Sequence, residues 1–247
     1  MRVCRLCDNE AVLQRSHVIP KSLLKDVKDG ESQLHTFEHQ ALPSYSNSDP
    51  KELLMCRACE QFLSRNYEQY GTKLLKNRKN VILHPDHIEF REFDYKKWYL
   101  YYLSIIWRAS ISSLNEFKNV DLGGLNEVLK SCILNNTLLV SDSISIDEFV
   151  VISMFRVTDK ANKLPDAVLK KIMMHFLGIT EGEDHLFFFM VNGFLVQYQV
   201  TPKFMYQKDQ GFNRTDSARN KHRYVKRLDI TESRVLYENF NWLMDQI

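Results

Sequence analysis

Cysteine is scarce in this chain, with five residues among 247. Four of them form two CxxC pairs, at positions 4 and 7 and at positions 56 and 59, and Cys132 is left over. Small secreted scaffolds that depend on disulfides carry a much denser set of cysteines. The few that are present therefore indicate a reducing compartment, in which thiolates are kept for binding metal.

Long apolar segments are also missing. The densest apolar run covers residues 98–107, is interrupted by Ser104, and is too short to cross a bilayer. No apolar run precedes Cys4, so the pattern of a secretory signal is absent. We therefore expect a cytoplasmic protein without a membrane-spanning segment.

Neither charge is in clear excess. The chain contains 33 basic and 31 acidic residues, which gives a formal net charge of +2. Overall charge therefore neither favours nor excludes a nucleic-acid partner, and any attraction to phosphates must come from local clusters. With 44% hydrophobic and 26% charged residues, the composition is that of a folded protein. The length suits one sizeable core, or a small domain followed by a larger one.

The two CxxC pairs are the strongest chemical signal in the sequence. Each pair places two thiolates on one side of a tight turn, and one zinc ion can join two such turns in a tetrahedral site. We therefore predict that zinc binds Cys4, Cys7, Cys56 and Cys59. Four thiolates leave no open coordination position, so this ion would be structural. Two unrelated buried pairs, or a redox-active CxxC, are the alternatives.

Three motifs in and between these pairs occur in a particular order. They are Cys4-Arg-Leu-Cys7, then Ser16-His17-Val18-Ile19-Pro20, then Cys56-Arg-Ala-Cys59-Glu60, which runs into a helical pattern. In this order they resemble the zinc-stapled branch of the HNH endonucleases. The resemblance covers the N-terminal third of the chain and implies a ββα-metal finger, in which a strand carries a general-base histidine and the next helix carries a metal ligand.

The resemblance assigns roles to individual residues. His17 matches the general base. Glu60 stands where many family members have a histidine ligand just after the last zinc cysteine, and we assign it to a catalytic Mg²⁺ or Mn²⁺ ion. Ser16 departs from the family pattern, because an acidic metal ligand usually stands before the histidine. For the middle residue, which braces the histidine, we assign Asn47, with His35 and His39 as alternatives in the same segment.

The implied reaction is hydrolysis of phosphodiester bonds in nucleic acid, with DNA favoured over RNA. His17 would deprotonate a water molecule, and the catalytic ion would offset charge on the leaving oxygen. Fingers of this kind are common in bacterial defence against phage and in mobile elements, which suggests a similar setting. Two alternatives stay open: a finger that binds nucleic acid but has lost catalysis, and a subunit that binds a protein partner or forms a homo-oligomer.

The N-terminal region predicts a strand, a loop and a helix. Residues 11–17 form the predicted strand, which Pro20 ends because proline lacks an amide donor. Residues 21–50 predict a helical turn followed by a polar loop. A helical pattern begins at Leu53.

Glu60 and Glu68 lie on one face of that predicted helix but have different expected roles. They would stand about 12 Å apart along it, so they could not bind one ion. We assign Glu60 to the catalytic metal and Glu68 to an ion pair with Arg65 or Lys73.

The second part of the chain predicts a mixed α+β domain. The segment 85–87 is the expected boundary, which separates a finger over residues 1–80 from a domain over residues 90–247. Asn192-Gly193 between two apolar runs is the strongest hairpin signal in the chain. The remaining patterns predict helices over 95–116, 125–134, 165–177 and 233–247, and a strand over 148–157.

Two basic clusters are candidate phosphate contacts. One follows the finger helix and contains Lys73, Lys76, Arg78 and Lys79. The other covers residues 202–227, where eight basic residues against two acidic ones give 8 − 2 = +6. From the second cluster we assign Lys221, Arg223 and Arg227 to nucleic-acid binding. Solvated surface segments would explain both clusters equally well.

Overall fold

The computed structural model describes residues 1–28, 34–37, 44–46, 50–76, 78–201 and 222–244. Within them the chain is a mixed α+β protein, which confirms the predicted class. These described residues form a nine-stranded sheet, three two-stranded sheets and seven α-helices. Among the described helices, none combines the length and apolarity needed to cross a membrane.

The N-terminal region is built from short strands and one long, interrupted helix. Its elements in chain order are β1 (Arg2–Val3), β2 (Glu10–Ala11), β3 (Leu13–His17), α1 (Lys21–Lys28), β4 (Leu34–Phe37), β5 (Ser44–Ser46), β6 (Lys51–Cys56), α2 (Arg57–Leu63) and α3 (Gln69–Lys76). A π-helical turn, Ser64–Glu68, connects α2 to α3. Strands β3 and β6 pair as an antiparallel ribbon, and α2 begins directly after β6.

Two predictions for this region are wrong. The helix expected from Leu53 begins at Arg57, because residues 51–56 extend as β6 and pair with β3. The loop expected after α1 contains β4 and β5, and β4 pairs in parallel with a strand near residue 173. These strands are only four and three residues long, and β4 takes its position from a partner far along the chain, so local pattern does not reveal them.

The second part supplies most of the large sheet and four helices. Its elements are β7 (Val81–Leu83), β8 (His87–Arg91), α4 (Tyr95–Ser110), α5 (Leu125–Leu134), β9 (Leu139–Ser141), β10 (Ile144–Ser145), β11 (Val150–Thr158), α6 (Asp166–Lys171), β12 (Ile172–Glu181), β13 (Asp184–Val191), β14 (Phe194–Val200), β15 (His222–Asp229) and α7 (Arg234–Met244). The segment 85–87, where we expected a domain boundary, lies at the turn between β7 and β8.

The large sheet has the strand order β5-β4-β12-β13-β14-β11-β15-β8-β7. The pairs β4/β12 and β11/β15 are parallel, and the other neighbours are antiparallel. The predicted hairpin is confirmed as β13 and β14. Its turn residues Asn192 and Gly193 have φ of 51° and 71°, which asparagine and glycine tolerate best.

The prediction of a helix over residues 165–177 is wrong for the second half of that range. Helix α6 ends at Lys171, and β12 begins at Ile172. Residues 172–176 of β12 are all buried, so they lack the alternation of a half-exposed strand. A short continuous apolar run of this kind cannot be told from a buried helix by periodicity.

Helix α4 lies in the middle of the hydrophobic core. Asp94 caps its first turn by accepting a hydrogen bond from the amide of Lys97, and residues 98–109 are all buried. The Tyr99 hydroxyl donates to the Val150 carbonyl of β11, and the Tyr198 hydroxyl of β14 donates to the Tyr102 carbonyl. The aromatic residues of this stretch therefore fix the helix onto the sheet and form core.

Helix α4 ends at Ser110, earlier than the predicted residue 116. The chain turns there because Glu52 of β6 accepts hydrogen bonds from the hydroxyls of Ser112 and Ser113, at 2.7 and 2.6 Å. The same buried core contains Leu6 and Leu54 from the N-terminal region. The N-terminal ribbon is thus packed directly against α4.

Candidate metal centre and active-site pocket

Four cysteines come together between β1, the end of β6 and the start of α2. The sulfur atoms of Cys4, Cys7, Cys56 and Cys59 all lie within 4.8 Å of one another. Sulfurs bound at about 2.3 Å to one tetrahedral zinc ion would stand about 3.8 Å apart. The Cys7 and Cys56 sulfurs are 3.9 Å apart, and all five cysteines are free thiols. This cluster, as predicted, could hold a metal ion such as zinc.

The backbone around Cys4 favours a thiolate. Burial raises the pKa of the Cys4 thiol, but hydrogen bonds from the backbone of Cys7, Cys56 and Leu6 outweigh burial and lower that pKa to about 7. The amide of Cys56 donates to the Cys4 sulfur at 3.3 Å. Amides directed at a sulfur are what a negatively charged metal ligand needs.

The first CxxC turn is fixed to α5 from outside the cluster. Asp8 follows Cys7 with a φ of 59°, and its carboxylate is 2.6 Å from the ammonium of Lys130. Lys130 is a largely buried residue of α5 and also contacts Glu127. The turn that carries Cys4 and Cys7 therefore rests on the second part of the chain.

A pocket of about 380 Å³, lined mostly by residues with polar or charged side chains, lies beside the ribbon and the long helix. His17 at the end of β3 and Glu60 of α2 both line it, so the two predicted catalytic residues share one pocket. Among the residues that the structure describes, its wall is formed by His17, Pro20, Lys21, Ser22, Glu60, Ser64, Glu68, Gln69, Thr72, Lys73 and Arg108. Lys21 and Lys73 are exposed, whereas Arg108 is buried.

Glu60 has an unusual environment for a carboxylate. Burial raises its pKa above the ordinary value, and the negative charge of Glu68 acts in the same direction. The hydroxyl of Ser16 and the charge of Arg108 oppose that rise. The Oε1 atom is buried, and no donor among the described residues bonds to it. A buried carboxylate oxygen without a donor is costly, and a bound cation would offset that cost.

Ser16, which stands where the resemblance implies an acidic ligand, is fully buried, and its hydroxyl opposes the rise that burial causes in the pKa of the Glu60 carboxyl. Its own hydroxyl cannot supply a negative charge to an ion. The position therefore supports Glu60, and Glu60 is the carboxylate that remains available for a cation in the part of the pocket that the structure describes.

Glu68 pairs with Arg108, so the predicted partners Arg65 and Lys73 are wrong. The Arg108 Nη1 atom is 3.0 Å from Glu68 Oε1, and Arg65 instead donates to the Gln61 carbonyl. The regular α-helix expected across residues 60–68 is also wrong, because a π-helical turn occupies residues 64–68. Such turns change the direction of the side chains that follow and are frequent at functional sites. Here Glu68 lines the same pocket as Glu60.

Arg108 is the pocket residue that sequence reasoning missed. It is 1% exposed and donates from Nη1 to the His17 carbonyl at 2.9 Å as well as to Glu68. Its Nε atom donates to the Ser104 carbonyl at 3.1 Å. One signal was available: an arginine inside an apolar run of a core helix must find acceptors, because unpaired buried charge is rare.

The other residues predicted for catalysis or nucleic-acid binding either lie outside the described residues, are described only in part, or line a different cavity. Asn47 and His39 lie outside the described residues, and only the backbone of His35 is described, in β4. Lys221 also lies outside them, and Arg223 is described only as part of β15. Arg227 donates to the His84 carbonyl at 3.1 Å and lines a separate cavity of about 860 Å³.

Comparisons of this chain with protein families, with curated proteins and with solved structures found no match.

Proposed function

We propose that this chain is a metal-dependent nuclease of the HNH type, which hydrolyses phosphodiester bonds in nucleic acid, DNA in preference to RNA. Residues 1–80 would form the zinc-stapled finger, and residues 90–247 would support it and bind nucleic acid or a partner. The proposal includes a setting in bacterial defence or in a mobile element, which the motif order suggests.

One observation carries this proposal: His17 and Glu60 line the same pocket, and Glu60 directly follows Cys59 of the four-cysteine cluster. The two residues are 43 positions apart, on a strand and on a helix, and the motif order assigned both to catalysis. The cysteine cluster joins the start of the chain to the junction of β6 and α2. A metal ion there would hold the base and the carboxylate at a fixed separation.

His17 would act as the general base. An imidazole can accept a proton at neutral pH, and here it would take one from the water that attacks phosphorus. His17 is half-buried at the end of β3, and its carbonyl is held by Arg108. Its backbone is thus fixed on both sides, by the β3/β6 ribbon and by α4.

Glu60 would hold the catalytic Mg²⁺ or Mn²⁺ ion. The residues fit such an ion, because the buried Oε1 atom of Glu60 has no donor among the described residues. Mg²⁺ needs only one or two protein carboxylates, since water and substrate phosphate complete its coordination. When bound, the ion would neutralise charge on the scissile phosphate and on the leaving oxygen.

The rim of the pocket is basic, which suits the phosphates that flank the cleaved one in a nucleic-acid strand. Lys21 and Lys73 are exposed where α1 and α3 border the pocket. Ammonium groups at this position can contact the phosphates on either side of the one that is cleaved. Carboxylates inside and lysines outside are the arrangement expected for a metal-bridged phosphodiester.

Ser16 favours the alternative of a finger that binds nucleic acid without cutting it. The position lacks the usual acidic ligand, and the cysteine cluster is the one group of three or more metal-ligating side chains close enough to share an ion within the described residues. The two functions make different predictions, because both require nucleic-acid binding and only one requires cleavage.

The decisive experiment measures cleavage of plasmid DNA and of structured RNA, with Mg²⁺ or Mn²⁺, by the parent protein and two variants. His17→Ala should lower the cleavage rate by about 100-fold or more, the usual contribution of a general base. Glu60→Gln should instead weaken activation by the metal, because an amide is a poorer ligand than a carboxylate for these hard ions. Both variants should keep the parent's zinc content and nucleic-acid affinity.

Matched controls are available for both substitutions. His185→Ala removes an exposed histidine of β13, and Glu127→Gln neutralises an exposed glutamate of α5. Neither residue lines the pocket, so both controls should cut like the parent. A parent that binds but cuts nothing with any divalent ion would favour the inactive finger. Parent-like cleavage by His17→Ala would remove His17 from the mechanism.

A further inference from the structure

Arg108 reaches the pocket from α4, in the second part of the chain. Its side chain is 1% exposed, and a guanidinium buried this deeply is costly unless each donor is used. Nε donates to the Ser104 carbonyl, and Nη2 lies 3.4 Å from the Ser104 hydroxyl. Nη1 donates to both the His17 carbonyl and the Glu68 carboxylate. The guanidinium is therefore held by its own helix through Nε and Nη2, and its Nη1 atom is directed at the pocket.

The two acceptors of Nη1 belong to separate elements. His17 is the last residue of β3, and Glu68 is the last residue of the π-helical turn between α2 and α3. Arg108 is 91 residues from His17 and 40 residues from Glu68 along the chain. Three elements, β3, the long helix and α4, thus meet at one nitrogen atom.

We propose that Arg108 is a positioning residue, which fixes the His17 imidazole relative to Glu60. The proposal rests on the function proposed above. By holding the carbonyl of His17, Arg108 fixes the backbone from which the imidazole projects. By holding Glu68, it fixes the turn that follows Glu60. Misplacing a reacting group by about 1 Å can cost about 100-fold in rate, so losing these two contacts would slow the reaction through the position of His17.

A lysine cannot replace this arginine. The guanidinium is a planar fork whose donors point in several fixed directions, whereas an ammonium is a single point of charge. A lysine at position 108 would keep the charge near Glu68 but could not bond Ser104, His17 and Glu68 together. Arg108→Lys therefore separates the geometry of the contact from its charge.

The test compares full-length, zinc-loaded parent with Arg108→Lys and Glu68→Gln. In cleavage of the substrate that the parent cuts, Arg108→Lys should lower kcat by about 10- to 100-fold with a KM close to the parent's, because a positioning contact acts in the transition state. Glu68→Gln keeps an acceptor and should have a smaller effect of the same kind. If Arg108→Lys does not fold, Glu68→Gln provides the test.

A second measurement does not depend on activity. The ring ¹H and ¹³C resonances of His17, assigned by comparison with His17→Ala, should move in Arg108→Lys and in Glu68→Gln. A role in stability alone would not move them. The matched control is Arg156→Lys, which changes another buried arginine that also bonds a backbone carbonyl and a carboxylate, those of Asn192 and Asp166, but lines neither the pocket nor the cysteine cluster. It should lower Tm while kcat and the His17 resonances stay those of the parent.

The outcomes test the positioning role of Arg108 separately from the proposed nuclease function. If the parent cuts and Arg108→Lys has the parent's kcat, Arg108 has no positioning role. The same conclusion follows if Arg156→Lys lowers kcat as much for the same loss of Tm. If the parent cuts nothing, the proposed function fails, and the His17 resonances alone decide: no movement in Arg108→Lys overturns the positioning role.

Discussion

Cys56 and Glu60 lie one helical turn apart and belong to different sites. The Cys56 sulfur is part of the four-cysteine cluster, and Glu60 lines the pocket. The start of α2 therefore belongs to both sites. A metal ion bound at the cluster would also fix the position of Glu60 in the pocket. A metal ion at the cluster would add its binding free energy to folding, because the unfolded chain has no such site.

Replacing Cys56 tests whether the four cysteines share a metal ion that holds the start of α2. Cys56→Ser should lower the zinc content and the Tm. It should also lower the proposed cleavage activity, because the start of α2 would no longer be attached to a metal ion. The measurement is zinc content by elemental analysis after purification without chelator, together with thermal unfolding. We expect about one zinc ion per parent chain.

Cys132→Ala is the control for that substitution. Cys132 is a buried thiol of α5 that does not belong to the cluster. Its replacement should keep the zinc, with at most a small loss of stability. Parent-like zinc content and Tm in Cys56→Ser would show that the four cysteines do not share an ion.

Among the elements, α3 and α4 approach each other unusually closely at Gly71. A Cβ atom built on Gly71 would lie 2.4 Å from two ring atoms of Tyr101, which is far inside van der Waals contact. Tyr101 is fully buried in α4. The absence of a side chain at residue 71 thus allows α3 to rest on α4, next to the pocket residues Thr72 and Lys73.

We expect Gly71→Ala to lower the free energy of unfolding by about 1–3 kcal/mol, the usual cost of overpacking a core. Gly124→Ala is the matched control, because nothing lies within 4 Å of its Cβ position and its φ is −63°. It should be neutral or stabilising by up to about 1 kcal/mol. Urea unfolding with comparable m-values measures both changes. Equal stability of the two variants would mean that α3 and α4 are farther apart than described.

Elements also show what the sequence can and cannot predict. The hairpin at Asn192-Gly193 was predictable because its turn needs two residues with positive φ, a local requirement. Strand β12 was mistaken for helix because burial on both faces removes the alternation that identifies strands. Strand β4 was missed because its position depends on pairing with β12, about 137 residues later along the chain.

The same distinction applies to the candidate site. His17, Glu60 and the four cysteines could be selected from their spacing and motif order, which are local. Arg108 could not be assigned to the pocket, because its contact with His17 joins residues 91 positions apart. The ion pair of Glu68 was wrong for a related reason: the π-helical turn changes which way the side chain points.

At the scale of the whole molecule, charge sets a condition on the proposed function. A chain with a formal charge of +2 has no strong overall attraction to nucleic acid, so affinity must come from local clusters. Residues 202–227 are the densest basic stretch, although residues 202–221 lie outside those that the structure describes. Arg227 already bonds the His84 carbonyl, so its replacement would also disturb the link between β15 and the end of β7.

The cleanest test of this cluster therefore leaves Arg227 in place and changes Lys221 and Arg223 to Ser. Each lost phosphate contact should reduce the slope of log K against log salt concentration by about 1, so this variant should lose about 2 and bind all sequences more weakly. Lys96→Ser/Lys118→Ser removes the same charge from exposed positions elsewhere and should keep the parent's slope. Binding to short DNA and RNA duplexes between low and physiological salt provides the measurement. An equal slope in all three proteins would mean that residues 221 and 223 do not contact phosphate, and the lysines at the pocket rim would then have to supply the affinity.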